Sequence, residues 1–256
     1  MTSRWLVRSR LRTDPRTHLI CFPSAGAGPA LFGRWAESLS VDIQVWAVQL
    51  PGREARVREP VISDLAAIAR EVAGHLEPLL DRPLAFFGHS MGAVIAFETA
   101  RLLAVRQALQ LQHLFVSAYR PPCIPDPQPP LRQLPDDALI TETGRRYGGV
   151  PAAVLAEPEL LALLLPTLRA DITALETHSW VPGAVLECPI SAFGGAADVT
   201  APPPHLEAWR AMTSGRFRRR EFAGGHFYLT EQRLALVAEV EAALAPRSGM
   251  AREPVG

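Results

Sequence analysis

A serine between two glycines is the first group in this sequence that could carry out chemistry. Ser90 lies in the stretch Gly88-His-Ser-Met-Gly92, after the apolar run 84–87 and before an alanine-rich stretch whose apolar residues have helical spacing. A sharp turn from a strand into a helix exposes such a hydroxyl above the edge of a sheet, and the glycines leave room where strand and helix crowd each other. The context predicts that Ser90 is a nucleophile rather than part of an ordinary glycine-lined turn.

A serine hydroxyl needs a base to remove its proton, and the base needs a carboxylate to orient it. His226 has the most suitable context among the histidines, because it follows the last predicted strand in the glycine loop Gly224-Gly-His-Phe-Tyr228. A flexible loop at that point can bring the imidazole over Ser90. His89 is adjacent to the serine and is expected to point elsewhere, so we predict that His226 is the base.

Two aspartates are candidates for the orienting carboxylate, and both fit the chain order of serine, acid and histidine. Asp198 ends the glycine-rich turn Gly194-Gly-Ala-Ala-Asp198, which follows a predicted strand. Asp126 lies in a proline-rich segment that follows an earlier predicted strand. A strand end with glycines and then a helix start favours Asp198, although aspartate is also a common turn residue. Asp126 stays open as the alternative.

The same chemistry requires two hydrogen-bond donors for the negative oxygen of a tetrahedral intermediate. The backbone N–H of the residue after the nucleophile, Met91, is one expected donor. The loop after the early strand, Phe22-Pro-Ser-Ala-Gly26, is expected to supply the other, and we predict that it is the N–H of Ala25. A plain strand-to-helix turn is also compatible with this loop.

These groups need a scaffold, and the sequence predicts one in which strands and helices alternate. The predicted strands cover residues 4–8, 18–23, 43–48, 84–87, 112–118, 187–193 and 216–222. The predicted helices cover residues 30–39, 63–80, the stretch after Ser90, 203–213 and 230–245, with Ser63 as the N-cap of the second. Such alternation is typical of an α/β fold with a mostly parallel central sheet and helices on both faces.

The alternation stops in the middle of the chain. Residues 121–135 are rich in proline, which argues against a helix or a strand. Residues 136–178 look helical in pieces, with breaks at Gly148-Gly149, Pro158 and Pro166. We therefore predict a core formed by residues 1–120 and 186–246, a helical lid inserted at 121–185, and a disordered tail at 247–256.

The predicted lid carries leucines that are too apolar for a solvated surface: Leu160, Leu161, Leu163, Leu164, Leu165 and Leu168. Most are expected to pack onto the body of the protein. Some are expected to line an apolar channel beneath the lid, and Leu164 and Leu168 are our candidates for contact with substrate.

Composition argues against several classes of function. The chain has 256 residues, of which 48% are hydrophobic and 20% charged, and its formal net charge is +0. This balance gives no bulk attraction to nucleic acid or to a membrane surface. The N-terminus lacks the apolar core of a signal peptide, and no apolar run approaches the roughly 20 residues that span a bilayer. We expect a monomeric cytoplasmic protein that uses no metal or cofactor.

Five stretches of the sequence together resemble the type II thioesterases, the stand-alone editing enzymes of polyketide and non-ribosomal peptide synthesis. They are Phe22-Pro-Ser-Ala-Gly26, Leu50-Pro-Gly-Arg-Glu54, Gly88-His-Ser-Met-Gly-Ala93, Ala96-Phe-Glu-Thr-Ala-Arg-Leu102 and Gly224-Gly-His-Phe227. The second stretch separates this family from general esterases. The resemblance implies the α/β-hydrolase fold, the catalytic and oxyanion residues proposed above, and hydrolysis of acyl groups from the phosphopantetheine arm of acyl or peptidyl carrier proteins.

Two other functions stay open at this level. One is a general esterase or lipase of the same fold, and the other is a non-catalytic protein that binds carrier proteins. The presence of all three catalytic residue types argues against the second. Arg53 and Arg56 could meet an acidic carrier protein, although salt bridges with Glu54 or Glu59 would occupy the same side chains.

Overall fold

The computed structural model describes residues 3–105, 111–148 and 156–245, and its central element is a seven-stranded sheet. The strands are β1 Leu6–Arg8, β2 Thr17–Phe22, β3 Ile43–Val48, β4 Leu84–His89, β5 His113–Ser117, β6 Ile190–Gly195 and β7 Phe217–Phe222. They are arranged in the order β1-β3-β2-β4-β5-β6-β7. β1 runs antiparallel to β3, and every other neighbouring pair is parallel. The predicted mostly parallel sheet is confirmed.

Helices pack on both faces of this sheet. Those of the described ranges are α1 Leu65–His75, α2 Met91–Val105, α3 Asp136–Tyr147, α4 Pro158–Thr177, α5 Pro203–Glu207, α6 Tyr228–Glu231 and α7 Arg233–Leu244. Ile20 and Phe22 of β2 belong to the core layer of α1 and α2, whereas Leu19 and Cys21 belong to the layer of α7. Side chains alternate along a strand, and both faces of the central strands are covered, so β2 and β4 are buried along their whole length.

The predicted helix at residues 30–39 is wrong. The segment forms two short 3₁₀ turns, Pro29–Phe32 and Trp35–Glu37, with Gly33 between them. Glycine disfavours a continuous helix. Phe32 and Trp35 are both buried in the core, so tertiary packing determines the conformation of this segment.

Three other predicted helices exist but have different bounds. The N-cap of α1 is Asp64 rather than Ser63, since the Asp64 carboxylate accepts the N–H of Ala67 at 3.0 Å. The helix predicted at 203–213 is α5 followed by the 3₁₀ turn Ala208–Met212. The helix predicted at 230–245 is α6 and α7, divided at Gln232. Hydrogen bonds at helix ends depend on their surroundings, and sequence patterns do not resolve them.

Between β5 and β6 the chain leaves the sheet and forms α3 and α4. Residues 121–135 contain no helix or strand, as predicted. The break at Gly148 is confirmed by its left-handed φ of 75° at the end of α3, and the break at Pro158 by the start of α4 there. The break at Pro166 is wrong, because α4 continues through it. The buried face of α4, which includes Leu168, stabilises the helix despite the hydrogen bond that proline cannot donate.

Two other predictions lie outside the described residues. One is Gly149 as part of a helix break, and the other is a disordered tail at 247–256. Within the ranges that are described, no helix combines the length and the apolar character needed to cross a membrane. The division of the chain into a core and a lid stays a prediction.

Candidate active site

Ser90 is the single residue between the end of β4 and the start of α2. Its φ of 55° lies in the left-handed region that L side chains rarely adopt. Such a conformation costs about 1–3 kcal/mol and persists only where the surroundings impose it. One such constraint is the Ser90 N–H, which donates to the carbonyl of Ser117 at the end of β5, at 2.8 Å. The turn holds the hydroxyl at the edge of the sheet where the parallel strands end.

The two glycines of this turn are required by close approaches of the backbone. A Cβ on Gly88 would overlap the backbone of Gly92 and Ala93. A Cβ on Gly92 would overlap the carbonyl groups of Phe22 and Pro23. Glycine at both positions therefore lets β4, α2 and the loop after β2 meet at one point.

The structure brings Ser90, His226 and Asp198 into one hydrogen-bonded chain. The Ser90 hydroxyl lies 3.0 Å from Nε2 of His226, and Nδ1 of His226 lies 2.8 Å from Oδ2 of Asp198. All three residues are buried. When Nδ1–H donates to the carboxylate, Nε2 is free to accept the proton of the serine hydroxyl. Such an arrangement can deprotonate the serine as it attacks a carbonyl carbon.

Two neighbouring strand ends place the acid beside the base. Asp198 follows β6 and His226 follows β7, and these strands pair in parallel. Their loops approach so closely that a Cβ on Gly195 would overlap the carbonyl groups of Gly224 and Gly225. The glycines noted in the sequence are therefore contact points between the two loops.

Thr200 completes the hydrogen bonding of the Asp198 carboxylate. Its hydroxyl donates to Oδ1 at 2.6 Å, and its backbone N–H donates to the same oxygen at 2.9 Å. Burial raises the pKa of the Asp198 carboxyl, but hydrogen bonds from His226 and Thr200 and the charge of His226 outweigh it and lower the pKa below its ordinary value. The carboxylate stays ionised and can hold the imidazole in one tautomer.

Asp126, the alternative acid, has other partners. One of its carboxylate oxygens forms a 2.8 Å salt bridge with Arg120, and the other accepts the backbone N–H of Gln128 at 3.0 Å. The carboxylate within hydrogen-bonding distance of His226 is that of Asp198. The geometry therefore favours Asp198 for the role of the acid.

The two predicted oxyanion donors lie where the Gly92 contact joins α2 to the loop after β2. Met91 is the first residue of α2, so its N–H has no partner within the helix. Ala25 lies in a turn closed by the hydrogen bond from the N–H of Ala27 to the carbonyl of Ser24, at 3.1 Å. In the part of the chain that the structure describes, neither the Ala25 N–H nor the Met91 N–H has an acceptor. Both can bind a negative oxygen, and the positive end of α2 favours that charge.

A buried ion pair holds this loop, residues 22–27, which we call the oxyanion loop. The N–H of Gly26 donates to Oδ2 of Asp171 on α4 at 2.8 Å. The guanidinium of Arg53 binds both oxygens of the same carboxylate, at 2.5 and 2.8 Å. The partner of Arg53 is therefore Asp171, and neither Glu54 nor Glu59, the two partners considered for the arginines of this stretch, pairs with it.

Arg56 forms the predicted salt bridge with Glu59, at 2.6 Å, and also donates to the carbonyl of Gln49 at 2.8 Å. The side chains of Arg53 and Arg56 are both buried. Both guanidinium groups are therefore occupied inside the fold rather than presented on the surface.

The leucines of α4 differ in what they contact. Leu164 and Leu168 approach the oxyanion loop, with methyl carbons 3.4 and 3.5 Å from the position that a Cβ would occupy on Gly26. Leu160 and Leu163, by contrast, are 49% and 59% exposed. The two leucines predicted to contact substrate are thus the ones beside an expected oxyanion donor.

Tyr147 at the end of α3 covers the base. Its ring centroid lies 4.9 Å from that of His226. Burial, and then the negative charge of Asp126, raise the pKa of Tyr147 to about 12, so the hydroxyl is neutral at ordinary pH. Part of the segment between β5 and β6 thereby closes over the hydrogen-bonded chain.

His89 points toward β5, away from the serine as predicted. Its Nδ1 lies 2.9 Å from the Ser117 hydroxyl, which lies 2.7 Å from the hydroxyl of Tyr228. The ring centroids of His89 and His226 are 5.3 Å apart. Burial, and then the positive charge of His226, hold the pKa of His89 well below its ordinary value, so this imidazole stays neutral.

Sequence reasoning did not identify Thr200, Tyr147 or Asp171. Thr200 follows Asp198 by two residues, a spacing at which a carboxylate commonly accepts local hydrogen bonds, so this signal could have been used. Tyr147 and Asp171 lie on helices far along the chain from the residues they contact. No local pattern indicates such contacts.

A buried Ser–His–Asp chain at the carboxyl edge of a mostly parallel sheet, with the serine on a strand-to-helix turn, defines the α/β-hydrolase class. The family model described as thioesterase domain matches residues 17–244. The chain belongs to the thioesterase family and is a hydrolase that acts on thioesters.

Relatives and solved structures agree with this assignment. The gramicidin S biosynthesis protein GrsT of Aneurinibacillus migulanus is 37% identical over 92% of this chain and 91% of its own length. The thioesterase PikA5 of Streptomyces venezuelae is 40% identical over 89% of this chain and 81% of its own length. The structure of the type II thioesterase BorB from the borrelidin biosynthetic cluster superposes with a TM-score of 0.85 at 33% identity, over 95% of this chain and 97% of BorB. The predicted resemblance to type II thioesterases is confirmed.

Proposed function

We propose that this chain hydrolyses acyl groups from the phosphopantetheine arm of acyl or peptidyl carrier proteins. Its role would be to remove aberrant or stalled acyl units from polyketide or non-ribosomal peptide synthases. The observation that carries the proposal is the buried chain of Ser90, His226 and Asp198 in a member of the thioesterase family. The printed names of its relatives, which include a gramicidin S biosynthesis protein, support the pathway.

The first half of the reaction acylates the serine. Nε2 of His226, 3.0 Å from the Ser90 hydroxyl, takes its proton while the oxygen attacks the thioester carbonyl. The tetrahedral oxyanion is stabilised by the N–H groups of Ala25 and Met91. The carbon–sulfur bond then breaks, and the imidazolium gives its proton to the departing pantetheine sulfur, which leaves as the thiol.

The second half releases the acid. Water gives a proton to His226 as its oxygen attacks the acyl-serine carbonyl, and the same two N–H groups hold the second oxyanion. Collapse of this intermediate expels the Ser90 oxygen, which recovers its proton from His226. Asp198 remains a carboxylate throughout and stabilises the imidazolium formed in each half.

We propose that Leu164 and Leu168 contact the acyl chain next to the thioester. Their methyl groups lie beside Gly26, the residue that follows the proposed donor Ala25. An acyl chain whose carbonyl lies at Ser90 would extend away from the serine along this apolar surface.

The remaining expectations form part of the same proposal. The partner is a carrier protein of a synthase, and the chemistry requires no bound cofactor or metal because serine, histidine and backbone N–H groups supply every step. We propose that the protein acts as a monomer in the cytoplasm.

The decisive experiment compares two substrates that differ only in the atom leaving the carbonyl. One is an acyl-carrier or acyl-pantetheine thioester, and the other is the matched oxygen ester. The proposal expects a kcat/KM that is higher for the thioester and higher again when the carrier protein is attached. A strong preference for the oxygen ester would instead indicate a general esterase.

Ser90→Ala separates catalysis from binding. We expect the variant to fold and to lose hydrolysis, and we expect a producing strain that carries it to accumulate stalled acyl-carrier species. If the variant retained the full biological effect of the unaltered chain, the protein would be a carrier-binding scaffold.

A further inference from the structure

One buried carboxylate on α4 holds the oxyanion loop at two points. Oδ2 of Asp171 accepts the N–H of Gly26 at 2.8 Å. The guanidinium of Arg53, bound to both oxygens of that carboxylate, also donates to the carbonyl of Ala27 at 3.1 Å. Asp171 is fully buried and the Arg53 side chain is 6% exposed. The two residues that follow Ala25 are thus both fixed by this ion pair.

The loop has few local means of keeping this shape. Gly26 has a φ of 74°, a conformation that glycine adopts without strain and that therefore does little to fix the backbone. The turn is closed by one hydrogen bond, from the N–H of Ala27 to the carbonyl of Ser24. Further constraint comes from outside, through the ion pair and through Leu164 and Leu168 of α4.

We propose that Asp171 is a positioning residue that, through Gly26 and Arg53, aims the Ala25 N–H, so that the oxyanion hole is complete only while α4 is seated on the core. The inference rests on the proposed function, because it assigns Ala25 to the oxyanion hole. It gives Arg53 a role in catalysis that involves no contact with substrate or carrier protein.

The geometry explains why α4 must be seated. Asp171 reaches the core together with Thr167, one turn earlier on α4, whose hydroxyl donates to the carbonyl of Gly52 at 2.6 Å. Movement of α4 away from the core would remove the acceptor of Gly26 and the counter-charge of Arg53 in one step. An oxyanion donor must lie about 2.7–3.1 Å from the developing charge, so a small shift of the loop weakens it.

The first test measures kcat and KM for Asp171→Asn. The asparagine amide group can no longer both accept from Gly26 and bind Arg53 through two oxygens. We expect kcat to fall about 10- to 100-fold, the range caused by misplacing a catalytic group by up to about 1 Å, with KM changed much less.

Glu59→Gln is the matched control. Like Asp171→Asn, this substitution converts the carboxylate partner of a buried arginine into an amide, and the arginine here is Arg56. Glu59 makes no hydrogen bond to the oxyanion loop, so this variant is expected to keep kcat within about twofold of the unaltered chain, as for a weak partly exposed ion pair.

The double variant Arg53→Met/Asp171→Leu separates positioning from stability. Replacing both members of a buried ion pair with apolar residues often leaves stability unchanged or higher, whereas removing one member leaves an unpaired charge. We expect the Tm of the double variant to recover most of the loss seen in Asp171→Asn. We expect kcat to stay low, because Gly26 and Ala27 still lack their anchors.

Two results would overturn the inference. One is a kcat for folded Asp171→Asn equal to that of Glu59→Gln, and the other is recovery of kcat together with Tm in the double variant. Both variants are assayed with an acyl-pantetheine thioester and with the matched oxygen ester. Failure of the proposed function would appear in the unaltered chain as lack of thioester turnover. Failure of this inference would appear only in the variants.

Discussion

Replacing Asp198 with asparagine exchanges one carboxylate oxygen for an amide nitrogen, and the structure determines which one. Thr200 donates two hydrogen bonds to Oδ1, so the amide oxygen of the variant must occupy that position. The amide nitrogen then faces Nδ1 of His226, which lies 2.8 Å from Oδ2 in the unaltered chain. Since an amide NH₂ group only donates, Nδ1 must accept and the imidazole proton moves to Nε2.

The magnitude follows from the tautomer. With its proton on Nε2, His226 donates to the Ser90 hydroxyl and cannot accept the proton that the reaction must remove. In Ser-His-Asp enzymes this exchange lowers kcat by about 10⁴, which corresponds to about 5.5 kcal/mol of activation free energy. We expect a fall of this order for Asp198→Asn with little change in KM, because the size and burial of the side chain are conserved.

The assay follows release of free thiol from an acyl-pantetheine thioester with a thiol-reactive dye. Asp126→Asn is the matched control, and it should change kcat by no more than about twofold because the Asp126 carboxylate pairs with Arg120 and does not touch His226. The reasoning is refuted if Asp198→Asn retains most of its kcat, or if Asp126→Asn is the damaging substitution.

Three further predictions follow from single residues. Ser90→Gly and Ser90→Ala should both be inactive, but in urea unfolding the glycine variant should be more stable by about 1 kcal/mol, because glycine adopts the φ of 55° without strain. Folded His89 stays neutral, whereas the unfolded histidine binds a proton below its ordinary pKa of 6.5. The free energy of unfolding is therefore unaffected by this group above pH 6.5 and falls by about 1.4 kcal/mol per pH unit below it. His89→Gln should therefore flatten the fall of stability as the pH is lowered below about 6.5, measured by urea unfolding at several pH values. Leu164→Trp should lower kcat/KM for long acyl thioesters by about tenfold more than for acetyl thioester, because it fills the apolar surface beside Gly26.

A specific result would contradict each of these three predictions. Equal stability of the two Ser90 variants would mean that the left-handed turn stores no strain. An unchanged pH profile of stability in His89→Gln would mean that folding does not lower the pKa of this imidazole. Leu163→Trp is the control for the acyl surface, since Leu163 is 59% exposed, and equal effects of the two tryptophans would remove Leu164 from the substrate path.

Strands were predicted more accurately than helices, and the cause is physical. β3 has the predicted bounds, and the other strands differ by a few residues at most. The central strands are recognisable because a strand buried on both faces is a short apolar run between polar turns. The helix predicted at 30–39 failed where Gly33 interrupts it and core packing takes over. The break predicted at Pro166 failed because contacts of α4 with the core compensate for the missing hydrogen bond.

In the candidate site, too, local sequence features could be predicted and contacts set by tertiary packing could not. Ser90 and His226 could be found because glycine-lined turns at strand ends are local features of the chain. Asp198 could be ranked above Asp126 but not chosen with certainty, since chain order admits either. The partner of Arg53 could not be found because only the neighbouring Glu54 and Glu59 are visible in the local sequence, whereas Asp171 lies on α4.

The sequence by itself determined the fold class and the thioesterase resemblance and indicated Ser90 and His226 as candidate reacting groups, because each depends on short motifs and on apolar spacing along the chain. Only the tertiary structure decided that Tyr147 covers His226 and that Asp171 holds the oxyanion loop. These contacts join segments distant in sequence. The contacts of Asp171 exist because a buried carboxylate must find donors and a buried arginine must find a counter-charge once the chain has folded.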